Sequence, residues 1–147
     1  MSVPNGGALL TIIAMRHAQA VPSDRNGDRE RALTDAGKRA ARSMFKQLEE
    51  RRLVADVAFV SPAKRTRQTV EQCSWEELRV EFVEELYNAS AETIDSVVRT
   101  AAAAQTILVI AHNPGISAYA DAGVVLRPAD AVVLTAGRPS VHMTASR

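Results

Sequence analysis

An α/β sandwich with a mainly parallel sheet is the fold this sequence predicts, and two patterns predict it. Strand-length apolar runs alternate with stretches of helical periodicity, as βα units that lay their strands side by side in parallel do. Three of the runs, residues 10–15, 57–60 and 106–111, are apolar almost throughout, as strands covered on both faces must be. Helices supply that cover on both sides, so a three-layer α/β/α arrangement is expected.

Residues 1–8, with Pro4, Asn5, Gly6 and Gly7, read as a flexible leader ahead of a single domain over residues 9–147. Residues 10–15 form the first strand. Residues 21–31, rich in Pro22, Ser23, Asp24, Asn26 and Gly27, form a polar loop. Thr34 can cap a helix, and Ala36, Ala40, Ala41, Met44, Phe45 and Leu48 then fall on one face as far as about Arg52. Its other face, with Lys38, Arg39, Arg42, Lys46 and Glu49, reads as solvated. After the strand over 57–60, Ser61 starts a second helix with Pro62 in its first turn, reaching about Gln72. Residues 79–83 are a short strand leading into Glu84, Glu85 and Leu86. Ser90 and Thr93 open an alanine-rich helix over 91–104. The strand over 106–111 follows, and Pro114 begins another helix. Residues 131–135 and 140–144 are two final strands joined by 136–139.

Composition narrows the function. With 147 residues, 46% apolar and 24% charged, the chain fits one soluble domain with one core. A formal net charge of +1 gives no general attraction to nucleic acid or membrane, so neither is an expected partner. Aromatic residues make up 4%, thin for stacking on bases. The single cysteine, Cys73, excludes an internal disulfide and reads as a small hydrophobe on a helix. No apolar run approaches the ~20 residues that span a bilayer, and the start lacks the basic residues of a signal peptide. A cytoplasmic protein is expected.

The chemistry sits just past the predicted strands. In an open α/β sheet, residues beyond the carboxyl ends of the strands converge on one crevice. Here they are Arg16 and His17 after the first strand, Ser61 to Thr69 after the second, and His112 and Asn113 after the third. Arginine donates two parallel hydrogen bonds to phosphate oxygens. A neutral imidazole is a nucleophile, and neighbouring cations keep it neutral by disfavouring imidazolium. Such a crevice is suited to holding and attacking a phosphoryl group.

Five segments occur in this order: Arg16-His17-Ala18, residues 33–37 (Leu-Thr-Asp-Ala-Gly), Ser61-Pro62 with Arg65, Gln68 and Thr69, Glu85-Leu86, and His112-Asn113-Pro114. Together they resemble the histidine phosphatase superfamily, and are most similar to its short phosphohistidine phosphatase branch (SixA-like). The resemblance implies a phosphoglycerate-mutase-like fold. It also implies roles: His17 as the nucleophile that becomes phosphohistidine, and Arg16, Arg65 and His112 as ligands of the transferring group. Glu85 falls where larger members keep a proton donor, an assignment that the adjacent Glu84 leaves open by one residue. Backbone N–H groups near Asn113 would add donors to the phosphate.

Two departures bear on the substrate. Ala18 stands where many members have glycine but the SixA-like branch often carries alanine, and Ser23 stands where mutases carry asparagine. The chain is also too short for the insertions that cap the site in larger members, which suits a bulky substrate. The expected activity is therefore a hydrolase acting on phosphohistidine in a protein partner, through a covalent intermediate on His17. A phosphomonoesterase acting on a small phosphorylated metabolite is the alternative enzyme, and a non-catalytic phosphate-binding module the alternative outside catalysis. No metal and no cofactor are implied, because the arginines already supply cationic charge and no ligand set has metal spacing.

Overall fold

The computed structural model describes residues 10–101 and 103–146, and the leader expected over residues 1–8 lies outside them. The strands are β1 (Thr11–Arg16), β2 (Val57–Val60), β3 (Arg79–Phe82), β4 (Thr106–Ala111), β5 (Ala131–Thr135) and β6 (Val141–Met143). The helices are α1 (Asp35–Glu50), α2 (Lys64–Glu71), α3 (Ala91–Val98) and α4 (Gly115–Ala120), with single 3-10 turns at Asp28–Glu30 and Glu84–Leu86. The strands form one sheet in the order β3-β2-β4-β1-β5-β6. β1, β4, β2 and β3 run parallel, and β5 and β6 add an antiparallel margin beside β1.

Why the central strands are apolar throughout follows from the two cores. Side chains alternate across a strand, so each buried strand feeds both faces. Ile13, Met15, Ala58, Val60, Leu108 and Ile110 pack with Ala40, Ala41, Met44, Phe45 and Leu48 of α1 and Val70 of α2. Ala14, Val57, Phe59, Val109 and Ala111 pack with Ile94 and Val98 of α3 and Ile116 and Ala120 of α4. Two helical layers enclosing one sheet are the expected three-layer sandwich.

Register then fixes the site. Arg16 lies opposite Ala111, and Val60 opposite Ile110, so β1, β4 and β2 end at nearly one level. The residues that follow are His17, His112 and Ser61. Three segments far apart in the chain thus open side by side.

Three helix boundaries differ by two residues or more from the sequence expectation. α1 stops at Glu50, and Arg52 follows in the left-handed region at φ 60°. α2 begins at Lys64 rather than Ser61, with Ala63 still extended. The Ser61 hydroxyl lies 2.7 Å from His112 Nε2, and its carbonyl accepts the Thr66 hydroxyl at 2.6 Å, so Ser61 serves the site instead of capping a helix. Cys73, expected on a helix, falls just past the end of α2 and packs against the first core, where burial pushes its thiol up to about 11. α3 ends at Val98 rather than Ala104. The alanines beyond Val98 offer little apolar area to bury, and Asp56 Oδ2 accepts the Gln105 and Thr106 N–H groups at 3.0 Å, which starts β4 at a fixed place.

Gly37 connects helix and site. In the first turn of α1 its N–H is capped by Thr34 Oγ1 at 2.9 Å. A Cβ there would stand 2.2 Å from the Gln19 carbonyl oxygen, two residues past His17. No helix among the described residues is long and apolar enough to cross a membrane.

Candidate active site

A cavity of about 430 Å³ opens at the carboxyl ends of the parallel strands, lined by Arg16, His17, Asp28, Arg31, Arg65, Tyr87, Asn88, His112 and Asn113. A larger hollow around Asp56, Arg79 and Thr100 gathers none of these groups. Chemistry, not size, singles out this one.

His17 leaves β1 with its backbone held on two sides. Its N–H donates to the Ala111 carbonyl, and its own carbonyl accepts from Ala129 N–H at 3.1 Å. Ala129 also donates to the Arg16 carbonyl, and does so from φ 70°, a left-handed conformation that a non-glycine residue adopts at a cost of about 1–2 kcal/mol. Thr69 of α2 locks the next residue. Its hydroxyl accepts the Ala18 N–H at 3.0 Å and donates to the Arg65 carbonyl at 2.7 Å, tying nucleophile loop and arginine together.

The imidazole of His17 is oriented by its own backbone. Nδ1 lies 2.7 Å from the Ala18 carbonyl oxygen, which only accepts, so Nδ1 carries the proton and Nε2 the lone pair. Burial, and after it the charges of Arg65, Arg16 and Arg31, lowers the pKa to about 4 against the opposing pull of the Ala18 carbonyl. The cations expected to keep His17 neutral do contribute, but burial leads. The His112 ring centroid is 5.3 Å away, tilted by 57°. Burial first, then His17 and Arg65, lowers the His112 pKa to about 3. With Nε2 engaged by Ser61, its Nδ1 is buried with no hydrogen-bond partner among the described residues.

Both rings should therefore be neutral well below pH 6. In NMR titrations, the His17 and His112 ring protons are expected to shift below about pH 5, whereas an unperturbed histidine titrates near 6.5. Because both folded pKa values are depressed, these groups contribute stability above the unfolded value, and it is lost as pH falls from about 6.5 toward 4. A midpoint near 6.5 for either ring would contradict this electrostatic picture.

Arg16 donates through Nη1 to the Leu126 carbonyl at 3.1 Å. Asn113, expected to offer backbone donors, uses its side chain to fasten the same loop: Nδ2 donates to Leu126 O at 2.9 Å. Ser117 completes the tie by donating to Asn113 Oδ1 at 2.5 Å and accepting Leu126 N–H at 2.9 Å. Arg65 is 4% exposed and donates through Nη1 and Nη2 to the Asp28 carbonyl and carboxylate. Its neighbours Lys64 and Arg67 are exposed and lie outside the cavity lining, Arg67 resting over the Phe82 ring.

The structure brings Arg16, His17, Arg65, His112 and Asn113 together, and leaves Glu85 out. Glu85 is exposed on a 3-10 turn and does not line the cavity. Glu84 is tied by two hydrogen bonds to Arg29. What that turn delivers to the site is Tyr87, whose ring meets His112 edge-on at 5.5 Å. Sequence reasoning missed Asp28, Arg31 and Tyr87. A run of four charged residues, 28–31, just ahead of the matched Leu33-Thr34 segment was the one available signal for the first two; nothing local marked Tyr87.

Comparisons with known proteins bear on the fold and the family. Three solved structures illustrate the likeness. A protein from Agrobacterium tumefaciens assigned as a phosphohistidine phosphatase SixA superposes with a TM-score of 0.80 at 23% identity, covering 94% of this chain and 98% of that one. Its counterpart from Nakamurella multipartitia gives 0.79 at 26% identity, covering 97% and 98%. A protein histidine phosphatase SixA complexed with tungstate gives 0.78 at 20% identity, covering 92% and 97%. No curated protein matches the sequence at a significant level. The sequence profile of the histidine phosphatase superfamily (branch 1) matches residues 12–105, a span that holds Arg16, His17 and Arg65 and stops short of His112. On that match, and with the fold to support it, the chain belongs to the histidine phosphatase superfamily.

Proposed function

We propose that this chain is a metal-independent phosphatase that removes the phosphoryl group from phosphohistidine in a protein partner, by way of His17. One observation carries the reading: the Ala18 carbonyl holds the Nδ1 proton of His17, which leaves Nε2 as a buried lone pair beside Arg16, Arg31 and Arg65. Family membership supports hydrolysis, and the fold likeness to SixA structures supports the substrate class.

The Nε2 lone pair attacks phosphorus in line. The P–N bond of the substrate breaks, its electron pair goes to the departing imidazole nitrogen, and that nitrogen takes a proton from water. Water then attacks phosphorus on His17, the new N–P bond breaks, and inorganic phosphate leaves. Arg16 and Arg65 donate to the equatorial oxygens, where such a transition state carries its charge. His112 donates through Nδ1–H, the tautomer favoured when the Ser61 hydroxyl donates to Nε2. Asn113 acts through Leu126, whose carbonyl it shares with Arg16.

The substrate class rests on the leaving group. Among the described residues lining the cavity, the one carboxylate is Asp28. Hydrogen bonds from Tyr87 and Arg31 hold it well below the usual carboxylate range, so it has no proton to give at neutral pH. An alkoxide leaves badly without such an acid, whereas imidazole leaves well once protonated from solvent. The position of Glu85 removes the other expected donor.

A phosphohistidine-bearing protein and a panel of alkyl phosphate metabolites, assayed with EDTA present, test the reading. The phosphoprotein should be hydrolysed preferentially, EDTA should leave the rate unchanged, and Glu85→Gln should alter neither substrate's turnover appreciably. Preference for one metabolite would replace the reading with a small-molecule phosphomonoesterase. Loss of activity in EDTA would end the metal-free mechanism. No turnover even of a generic aryl phosphate would leave a phosphate-binding module.

A further inference from the structure

Asp28 receives donors from three side chains of the cavity. Arg65 Nη2 meets Oδ2 at 3.0 Å, Arg31 Nη1 meets Oδ1 at 2.9 Å, and the Tyr87 hydroxyl donates to Oδ2. Arg65 Nη1 also donates to the Asp28 backbone carbonyl at 2.8 Å. The side chain of Arg65 is 5% exposed, that of Asp28 47%. A desolvated cation is thus fixed by a carboxylate that stands half in water.

Two effects of that carboxylate oppose each other. Its charge repels a phosphoryl dianion and so weakens substrate binding. Its bonds, however, define a plane for the guanidinium, which they grip at both Nη atoms. With one hydrogen each of Nη1 and Nη2 committed to Asp28, the donors left to face a ligand include Nε–H, which is buried without a partner among the described residues. Donors whose directions are already fixed need no rearrangement as charge develops on a transferring group.

We propose that Asp28 is a positioning residue: it clamps the end of the Arg65 fork so that the remaining donors meet the phosphoryl group in the transition state. The inference rests on reading Arg65 as a phosphoryl ligand. It assigns Asp28 no contact with substrate and no proton transfer. It also gives the sequence between β1 and α1 a task, since the 3-10 turn at Asp28–Glu30 carries the clamp to α2.

Steady-state kinetics on an aryl phosphate separate the opposing effects. Asp28→Asn keeps the shape and removes the charge, and kcat should fall about 10- to 100-fold. KM should stay level or fall, because the repelling carboxylate has gone. Asp28→Glu should recover part of kcat. In an Arg65→Ala background, Asp28→Asn should produce no further loss, because it acts through a group no longer present. Tyr87→Phe removes the hydroxyl bond to Asp28 but spares the Arg65 pair, so its effect on kcat should be much smaller. Losses that multiply in the double variant would overturn the proposal, as would a Tyr87→Phe loss equal to that of Asp28→Asn, which would make Asp28 an anchor for Tyr87. A rise in kcat on Asp28→Asn would make the carboxylate a plug. Undiminished turnover in Arg65→Ala alone would remove the phosphoryl role of Arg65, and this inference with it. Melting temperatures recorded beside each variant show whether a loss in kcat comes with a folded chain.

Discussion

Replacing His17 with alanine is expected to abolish turnover of every phosphorylated substrate while the chain stays folded. Loss of a covalent nucleophile removes the step that splits hydrolysis into two displacements, and such losses reach on the order of 10⁴ or more. Stability should change little by comparison. The imidazole makes one hydrogen bond within the described residues, to the adjacent Ala18 carbonyl, and its ring is not part of either apolar core. The backbone N–H and carbonyl of residue 17, held by Ala111 and Ala129, are unaffected by the change. A phosphoryl label trapped on the wild-type enzyme by rapid quenching at high pH should map to His17, vanish in acid and be missing from the variant. Wild-type-like turnover by His17→Ala would sink the mechanism. A label found on His112 would exchange the roles of the two rings, which stand 5.3 Å apart and are both neutral at pH 7.

The sheet and the residues placed at its carboxyl end were legible because their signals are local. A strand buried on both faces reads as an unbroken apolar run, and Arg16-His17 and His112-Asn113 follow two such runs directly. Parallel order needed only the alternation of strands and helices. What the sequence left hidden depends on contacts between distant segments. Ser61 reads as a helix start, yet its hydroxyl belongs to a histidine 51 residues away. Asp28 reads as loop polarity, yet it meets Arg65 and Tyr87, 37 and 59 residues further along. Glu85 sits in a matched segment, but a 3-10 turn rotates it outward and delivers Tyr87 in its place. No periodicity announces such a turn, because one turn of three residues has no repeat to read.

Arg65 and Lys64 offer the sharpest contrast, being adjacent cations on one helix. Arg65→Ala should lower kcat/KM by at least about two orders of magnitude, as removal of one preorganised donor to developing charge commonly does. Lys64→Ala should change the rate only modestly, because its ammonium is exposed and acts through water and salt. The cause of the Arg65 loss can itself be separated. Its charge is one of the influences that keep His17 neutral, so the variant's His17 pKa should rise from about 4. Burial remains the larger influence, and His17 should stay neutral at pH 7, so raising the pH further should not restore the rate. Arg65→Lys should recover only part of the loss, since an ammonium keeps the charge but cannot present a planar fork to Asp28 and the phosphoryl oxygens together. Equal losses at Lys64 and Arg65 would turn α2 the wrong way around its axis. Full rescue by lysine would reduce Arg65 to a point charge, and the fixed direction of its donors would no longer matter to the reaction.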